Sequence, residues 1–242
     1  MSGLTFNGVH SATFGLGVRV YRPLLPGTSD NYVDIPGRAG SILYPGKPKD
    51  RLIPVEFGFM PGSRALFRSR VWEISAWLGT EERKILIIDD EPDKIYIAKP
   101  EGQVDLEQAF LLGKFTVVFR AEPYTYGSEQ NQAFVNDAAA ITNSGTVETP
   151  PRLSVIFTAA AAEWKAALVT GEYIRIVHNF VATDTLEIDC KTGAIYHNGT
   201  RAMNLLDWQN SILFSLAKGE NTLAITPTGK CNAIIYWTPR YL

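Results

Sequence analysis

Hydrophobic and polar positions alternate along most of this chain, and alternation is the signature of strands that bury one face. In residues 51–59, Ile53, Val55, Phe57 and Phe59 fall on one side, and Leu52, Glu56 and Gly58 on the other. Pro54 lacks a ladder donor, which predicts an edge strand or a bulge there. The period then changes. Across residues 63–78, Phe67, Val71, Ile74 and Leu78 follow a four-three-four spacing with Arg64, Arg68 and Glu73 off the stripe, so this stretch is predicted helical. Ser63 suits its N-cap, and Gly79 suits a left-handed residue closing it. Short β-branched or aromatic runs follow at 84–88, 94–99 and 114–120. Asp89-Asp90-Glu91-Pro92-Asp93 has the acid and proline content of a tight connection between the first two.

The pattern breaks over 121–127, and a polar, small-residue stretch continues to Pro151 with weak strand signals at 133–135 and 139–141. A domain boundary is therefore expected near Gly127, dividing the chain into 1–127 and 128–242. The second half carries strand-like runs at 153–157, 173–178, 185–190, 194–197, 212–216, 222–226 and 233–237, separated by turns rich in Gly, Asn and Asp. That spacing indicates a sandwich or jelly roll. Leu186, Ile188 and Cys190 alternate against Thr185, Glu187 and Asp189, which turns Cys190 inward as a small hydrophobe. Residues 159–169 have a helix-like composition, yet Trp164, Ala166 and Leu168 alternate as in a strand; intrinsic propensity leans to helix. The fold class is mostly β: an α+β N-terminal domain with one main helix, followed by a β-sandwich.

Composition narrows the function. The 242 residues hold 23 Lys+Arg against 25 Asp+Glu, a formal charge of -2, with 45% hydrophobic and only 20% charged residues. Disorder is excluded on that balance, and so is a protein held to nucleic acid by neutralising phosphates. No window reaches 18 consecutive apolar residues, and the opening lacks a basic segment followed by an apolar one, so neither a membrane span nor Sec export is expected. The two cysteines, Cys190 and Cys231, are too few and too far apart for a disulfide framework.

Visible chemistry is sparse. His10, His178 and His197 are scattered, so a metal or nucleophile site would have to be assembled in three dimensions; no metal, cofactor or catalytic residue is expected. Gly40 and Gly46 are one residue too far apart for a phosphate loop, and Pro48 stands where a magnesium-holding hydroxyl is required. The run Asp89, Asp90, Glu91 and Asp93 lacks the glycine and late glutamate of a calcium loop and reads as a solvated hairpin turn. Asn198-Gly199-Thr200 is a type I′ turn signal before it is a glycosylation acceptor. Trp164, Trp208 and Trp237 could form a sugar-stacking platform, with Trp164 and Trp208 the ligand-facing candidates.

The order of local motifs carries more. Phe6-Asn7-Gly8-Val9, Phe14-Gly15-Leu16, Val18-Arg19, the segment Asp34-Ile35-Pro36-Gly37-Arg38-Ala39-Gly40 and the strand from Ile53 resemble the distal tail protein family of long-tailed bacteriophages. So do Ser75-Ala76-Trp77-Leu78, the run from Ile87 to Tyr96, and Gly113-Lys114-Phe115-Thr116-Val117-Val118-Phe119 leading to Pro123-Tyr124. The second half matches more loosely, through Thr185-Leu186-Glu187-Ile188-Asp189, Asn198-Gly199, Gly219-Glu220-Asn221-Thr222-Leu223 and Ile235-Tyr236-Trp237. Ala39 stands where the family often has an acid.

The resemblance implies a structural protein of the virion tail tip, without enzymatic activity, made in the host cytoplasm. Its N-terminal domain would form a homohexameric ring joining the tail-tube protein to the tip protein. Its C-terminal domain would be a galectin-like sandwich supporting receptor-binding or peripheral proteins. The family also implies a strand at 159–169. A closed ring needs two different complementary surfaces, and candidate edges supply the ring-interface set Tyr32, Ile35, Arg38, Pro54 and Glu56. A genome channel would further require that basic residues avoid its wall. The alternatives are a carbohydrate-binding or adhesion module and a cell-wall hydrolase.

Overall fold

The computed structural model describes residues 3–58, 64–102 and 113–242. Two compact units divide the chain, the first running to Tyr126 and the second from Gly127 to Tyr241.

The first unit contains β1 (Leu4–Phe6), β2 (Val9–His10), β3 (Gly17–Val20), β4 (Asn31–Asp34), β5 (Ser41–Tyr44), β6 (Arg51–Gly58), helix α1 (Arg64–Leu78), β7 (Lys84–Ile88), β8 (Ile95–Glu101), β9 (Lys114–Ala121) and β10 (Thr125–Tyr126). Antiparallel pairs give the sheet order β2-β1-β7-β8-β9-β6-β3, with β10 on β8, while β4 and β5 form a separate two-stranded hairpin. Strand alternation sends Phe6, Ile53, Val55, Phe57, Leu86 and Phe119 into one core, each fully buried.

Three expectations change here. Pro54 does not sit on an edge, because β6 pairs with β9 along its length and with β3 over Val55 to Gly58. The Tyr21 N–H donates to the Pro54 carbonyl, so the flank where proline lacks its N–H is the one on which β3 has just ended. The missing donor therefore costs the sheet little. Gly79 is not left-handed either. A Cβ there would lie 2.8 Å from the Ser75 carbonyl oxygen, so the glycine admits a close approach of backbone. The helix stripe misses Trp77, which is buried beside Ile74; Trp77 meets Phe6, Phe14 and Phe57 with ring centroids 6.3, 4.9 and 6.1 Å away. Phe59, Ser63 and the Phe67 side chain lie outside the described residues.

The second unit is a two-sheet sandwich. It contains β11 (Gln130–Ala133), β12 (Ala138–Asn143), β13 (Arg152–Phe157), β14 (Ala161–Leu168), β15 (Tyr173–Phe180), β16 (Thr185–Asp189), β17 (Ala194–His197), β18 (Thr200–Arg201), β19 (Gly219–Thr226) and β20 (Cys231–Trp237). One sheet has the order β11-β20-β13-β16-β17-β18 and the other β12-β19-β14-β15. Between them lies a second core that includes Leu153, Val155, Trp164, Ile174, Ile188 and Ile235.

Within 159–169, Ala161–Leu168 form strand β14. Packing decides against helix propensity, since Trp164, Ala166 and Leu168 all enter the sandwich core. The run 212–216 is not a strand. Its backbone makes an isolated bridge from Leu216 to Thr149, while Phe214 and Leu216 enter the core as irregular structure. Asn198 and Gly199 both have positive φ, 49° and 74°, as the type I′ turn between β17 and β18 requires.

Candidate assembly interface

The β4–β5 hairpin is the most unusual surface of the first unit. Its register sets Tyr32 opposite Leu43 and Val33 opposite Ile42, so these two pairs occupy opposite faces. Tyr32, Val33, Leu43 and Tyr44 are exposed at 63%, 40%, 47% and 56%, and Leu24 and Leu25 before them at 89% and 67%. Ile35 is exposed beyond β4, and Arg38 is exposed in the turn that follows, where the Arg38 N–H donates to the Ile35 carbonyl. An isolated two-stranded ribbon is marginal in water, and one with apolar side chains on both faces has surface to bury.

The hairpin is nevertheless built with a defined neck. Ser29 N–H donates to the Lys47 carbonyl, and Lys49 N–H to the Gly27 carbonyl. Asp30 accepts from Gly46 N–H at 2.8 Å and from the Thr28 hydroxyl. Gly46 is required there, since a Cβ would fall 2.2 Å from the Ser29 carbonyl carbon. One root is tied down by Arg22, whose guanidinium reaches Glu91 with Nη1 and Asp90 with Nη2, both at 2.5 Å. At the other, Asp50 pairs with Arg83 at 2.6 Å, and the buried Arg51 donates from Nε to the Pro123 carbonyl at 2.8 Å.

The acidic turn is thus more than a solvated loop. Asp90 and Glu91 receive Arg22, while Asp89 accepts from Gly3 N–H at 2.9 Å and lies 3.1 Å from His10 Nε2. Sequence reasoning missed Arg22. The only signal was one basic residue before the hairpin and an acidic run far along the chain.

The sheet offers a second, partly apolar surface, crossed by Lys99 and by Arg120 and Glu101, which pair at 2.6 Å. Opposite the core, Leu52 and Pro54 of β6, Val118 of β9, Ile97 of β8 and Ile85 of β7 point outward, with Leu52 48% and Ile85 51% exposed. Glu56 shares this face and pairs with Lys114 at 3.0 Å. Of the five sequence candidates, Tyr32, Ile35 and Arg38 thus lie on the hairpin, and Pro54 and Glu56 on the sheet face.

The tryptophan platform does not form. Trp164 is fully buried in the sandwich core and Trp237 is 7% exposed, which leaves Trp208 alone outward at 63%. Period-two alternation places Trp164 with Ala166 and Leu168, so the inward reading was the one its neighbours carried. Both cysteines are free; Cys190 packs against the sandwich core, and burial, then the nearby Asp189 carboxylate, pushes its thiol up to about 12. A metal ion has one candidate set among the described residues, His178, Asp184 and His197 in the second unit. Among the described residues, no helix is long and apolar enough to cross a membrane.

Comparison with known proteins agrees with this architecture unit by unit. Residues 10–121 match a phage tail protein RIFT-related domain, and residues 144–241 match a siphovirus-type tail component C-terminal domain. The distal tail protein of Bacillus phage SPP1 is 24% identical over 159 residues, an alignment that spans 62% of this chain and 63% of that protein. The crystal structure of SPP1 Dit, described as a paradigm of the hub adsorption apparatus in phages that infect Gram-positive hosts, superposes over 100% of both chains. Its TM-score is 0.86 at 20% identity. A chain of the phage p2 baseplate, in its activated conformation with strontium, superposes more loosely, with a TM-score of 0.49 at 10% identity over 97% of each chain. With both units matched in order and the SPP1 Dit fold reproduced from end to end, the chain is built from two siphophage tail-component domains and is similar to distal tail proteins throughout.

Proposed function

We propose that this chain is a structural subunit of a phage tail tip or baseplate, six copies of which close a ring that joins the tail tube to the tip protein. The second unit supports receptor-binding or peripheral proteins, and the chain catalyses nothing. The observation that carries the reading is the β4–β5 hairpin, a firmly necked ribbon with exposed apolar side chains on both faces.

A ring built by rotation uses heterologous contacts, so each subunit must present a donor surface and a different acceptor surface. The hairpin is the donor. The outward sheet face is the acceptor: Leu52, Pro54, Val118, Ile97 and Ile85 offer apolar surface to the ribbon, and Arg120 and Glu101 among them already neutralise each other. Full burial of an exposed Val, Leu or Ile side chain contributes about 1.5–3 kcal/mol, and the half-exposed hairpin residues have part of that left to gain. A handful per interface, repeated around a closed ring, suffices for a stable assembly. The hub role described for SPP1 Dit agrees with this assignment.

Native mass spectrometry of the full chain at increasing concentration is the test. Six copies are expected in the wild type, and a combined Tyr32→Asp, Leu43→Asp variant should be monomeric with unchanged thermal stability. A variant that stays hexameric would remove the hairpin from the interface, and a stable assembly of another stoichiometry would remove the six-fold ring.

A further inference from the structure

Two of the chain's three histidines converge on one aspartate in the second unit. His178 lies on β15, His197 ends β17, and Asp184 sits in the turn between β15 and β16. One candidate ligand atom from each lies within 4.8 Å of the other two. Asp184 Oδ2 is 3.4 Å from His197 Nε2, and the two imidazoles meet edge to face with centroids 4.6 Å apart.

The cluster is organised. Asp184 is buried at 9% exposure, and each of its oxygens is aimed by a donor: Asn198 Nδ2 to Oδ1 at 2.9 Å and Val181 N–H to Oδ2 at 2.9 Å. Asn198 is held in turn, its own Oδ1 accepting from Thr185 N–H at 2.8 Å. Phe180, stacked on Phe157 at 4.0 Å, forms an apolar wall against both imidazoles, 5.1 Å from His178 and 5.7 Å from His197. A carboxylate oriented by second donors, with two imidazoles packed beside it, is the arrangement that tunes metal ligands.

The donor set selects the ion. Two neutral imidazole nitrogens and one carboxylate suit zinc and its late first-row neighbours, whereas calcium and magnesium demand more oxygen. Ligand bonds of about 2.0–2.2 Å place neighbouring ligand atoms about 3.3 Å apart around a tetrahedral ion. The His197–Asp184 pair already has that spacing. His178 must close by about 1.5 Å at most, a small side-chain rotation for bonds of that length, and among the described residues ring contacts are all that hold it. An ordinary His–Asp hydrogen bond needs one imidazole; the second is what an ion would use.

We infer that His178, Asp184 and His197 form a binding site for a late first-row divalent cation, zinc in the first instance, with water completing its coordination. The ion ties β15, the 181–184 turn and β17 together. It is a structural clasp within the sandwich and is independent of the ring contacts.

The untagged, metal-free full chain, titrated calorimetrically with zinc chloride, tests this. The expected result is saturable binding of one ion per chain and a rise in Tm with zinc, but none with calcium or magnesium at the same concentration. His178→Gln removes a ligand outright and should weaken binding by more than the tenfold to about a hundredfold that follows loss of an outer-shell partner, while leaving the Tm of the metal-free chain unchanged. His10→Gln, which alters the one histidine outside the cluster, should bind as the wild type does. Absence of saturable zinc binding, equal binding by His178→Gln, or loss of binding in His10→Gln would each overturn the site.

Discussion

The Trp77 indole N–H donates to the Phe6 carbonyl at 2.9 Å, tying helix α1 to strand β1 through a buried bond. The same ring packs against Phe6, Phe14 and Phe57, so one side chain both satisfies a backbone acceptor and fills the first core. Trp77→Ala should therefore destabilise the first unit by about 3–5 kcal/mol. Trp77→Phe keeps most of the packing but orphans the carbonyl, and should cost about 1–3 kcal/mol. Urea unfolding of the two variants reads the difference, and a Trp77→Phe chain as stable as the wild type would mean that the bond contributes nothing.

Arg22 fastens the start of the hairpin to the acidic turn, its two terminal nitrogens reaching Asp90 and Glu91. Both acids are about half exposed, and such pairs contribute at most about 1 kcal/mol each to folding. Arg22→Ala should thus barely move the unfolding midpoint. An interface that relies on a pre-fastened ribbon loses more, because the freed hairpin must be ordered again on binding. Assembly weaker by about tenfold, equivalent to about 1.4 kcal/mol, is expected in sedimentation at graded concentrations. An unchanged assembly would show that this fastening does not serve assembly.

Asp184 gives the second unit an acid-sensitive stability. The Asn198 amide, then the Val181 N–H, hold its carboxyl below the usual aspartate range by hydrogen-bonding its charged form. A depressed folded-state pKa stabilises above the unfolded value, near about 3.9, and that contribution is lost as pH falls through the folded value. The stability gap between wild type and Asp184→Asn should be largest near neutrality and shrink below about pH 4. Denaturant titrations across pH test this, and a gap independent of pH would contradict it.

What the sequence disclosed follows from the range of the interactions involved. Alternation located Ile53, Val55 and Phe57 and the strands around Leu186 and Ile188, because burial of one face is written in neighbouring residues. The Asn198-Gly199 turn was equally local. Residues 159–169 were ambiguous because alanine-rich composition and period-two alternation disagree there, and the core around Trp164 decides. The single run 212–216 misled, since Phe214 and Leu216 are buried without a ladder. At the candidate interface, the Tyr32 to Ile35 stretch reads as an open strand edge, and Tyr32 to Asp34 lie in one strand of the separate hairpin. Arg22 with Glu91, and His178 with Asp184 and His197, were not legible. Each depends on chain segments joined by strand pairing, and no short-range pattern encodes which distant residues that pairing brings together.

Cys190 supplies a final prediction, and it separates two ways in which zinc could bind. The thiolate is the nucleophile and the metal ligand, and burial with the neighbouring Asp189 pushes the Cys190 thiol up to about 12. Burial raises Cys231 as well. At neutral pH both remain protonated, so neither should react quickly with a disulfide reagent nor offer zinc a sulfur ligand in the folded chain. Labelling of the native protein at pH 8 should be slow at both positions, and unfolding in guanidinium should release both to rapid reaction. A fast native phase would show a thiol more exposed than its packing implies. A Cys190→Ser, Cys231→Ser chain should keep its zinc affinity, because the histidine cluster draws nothing from either thiol.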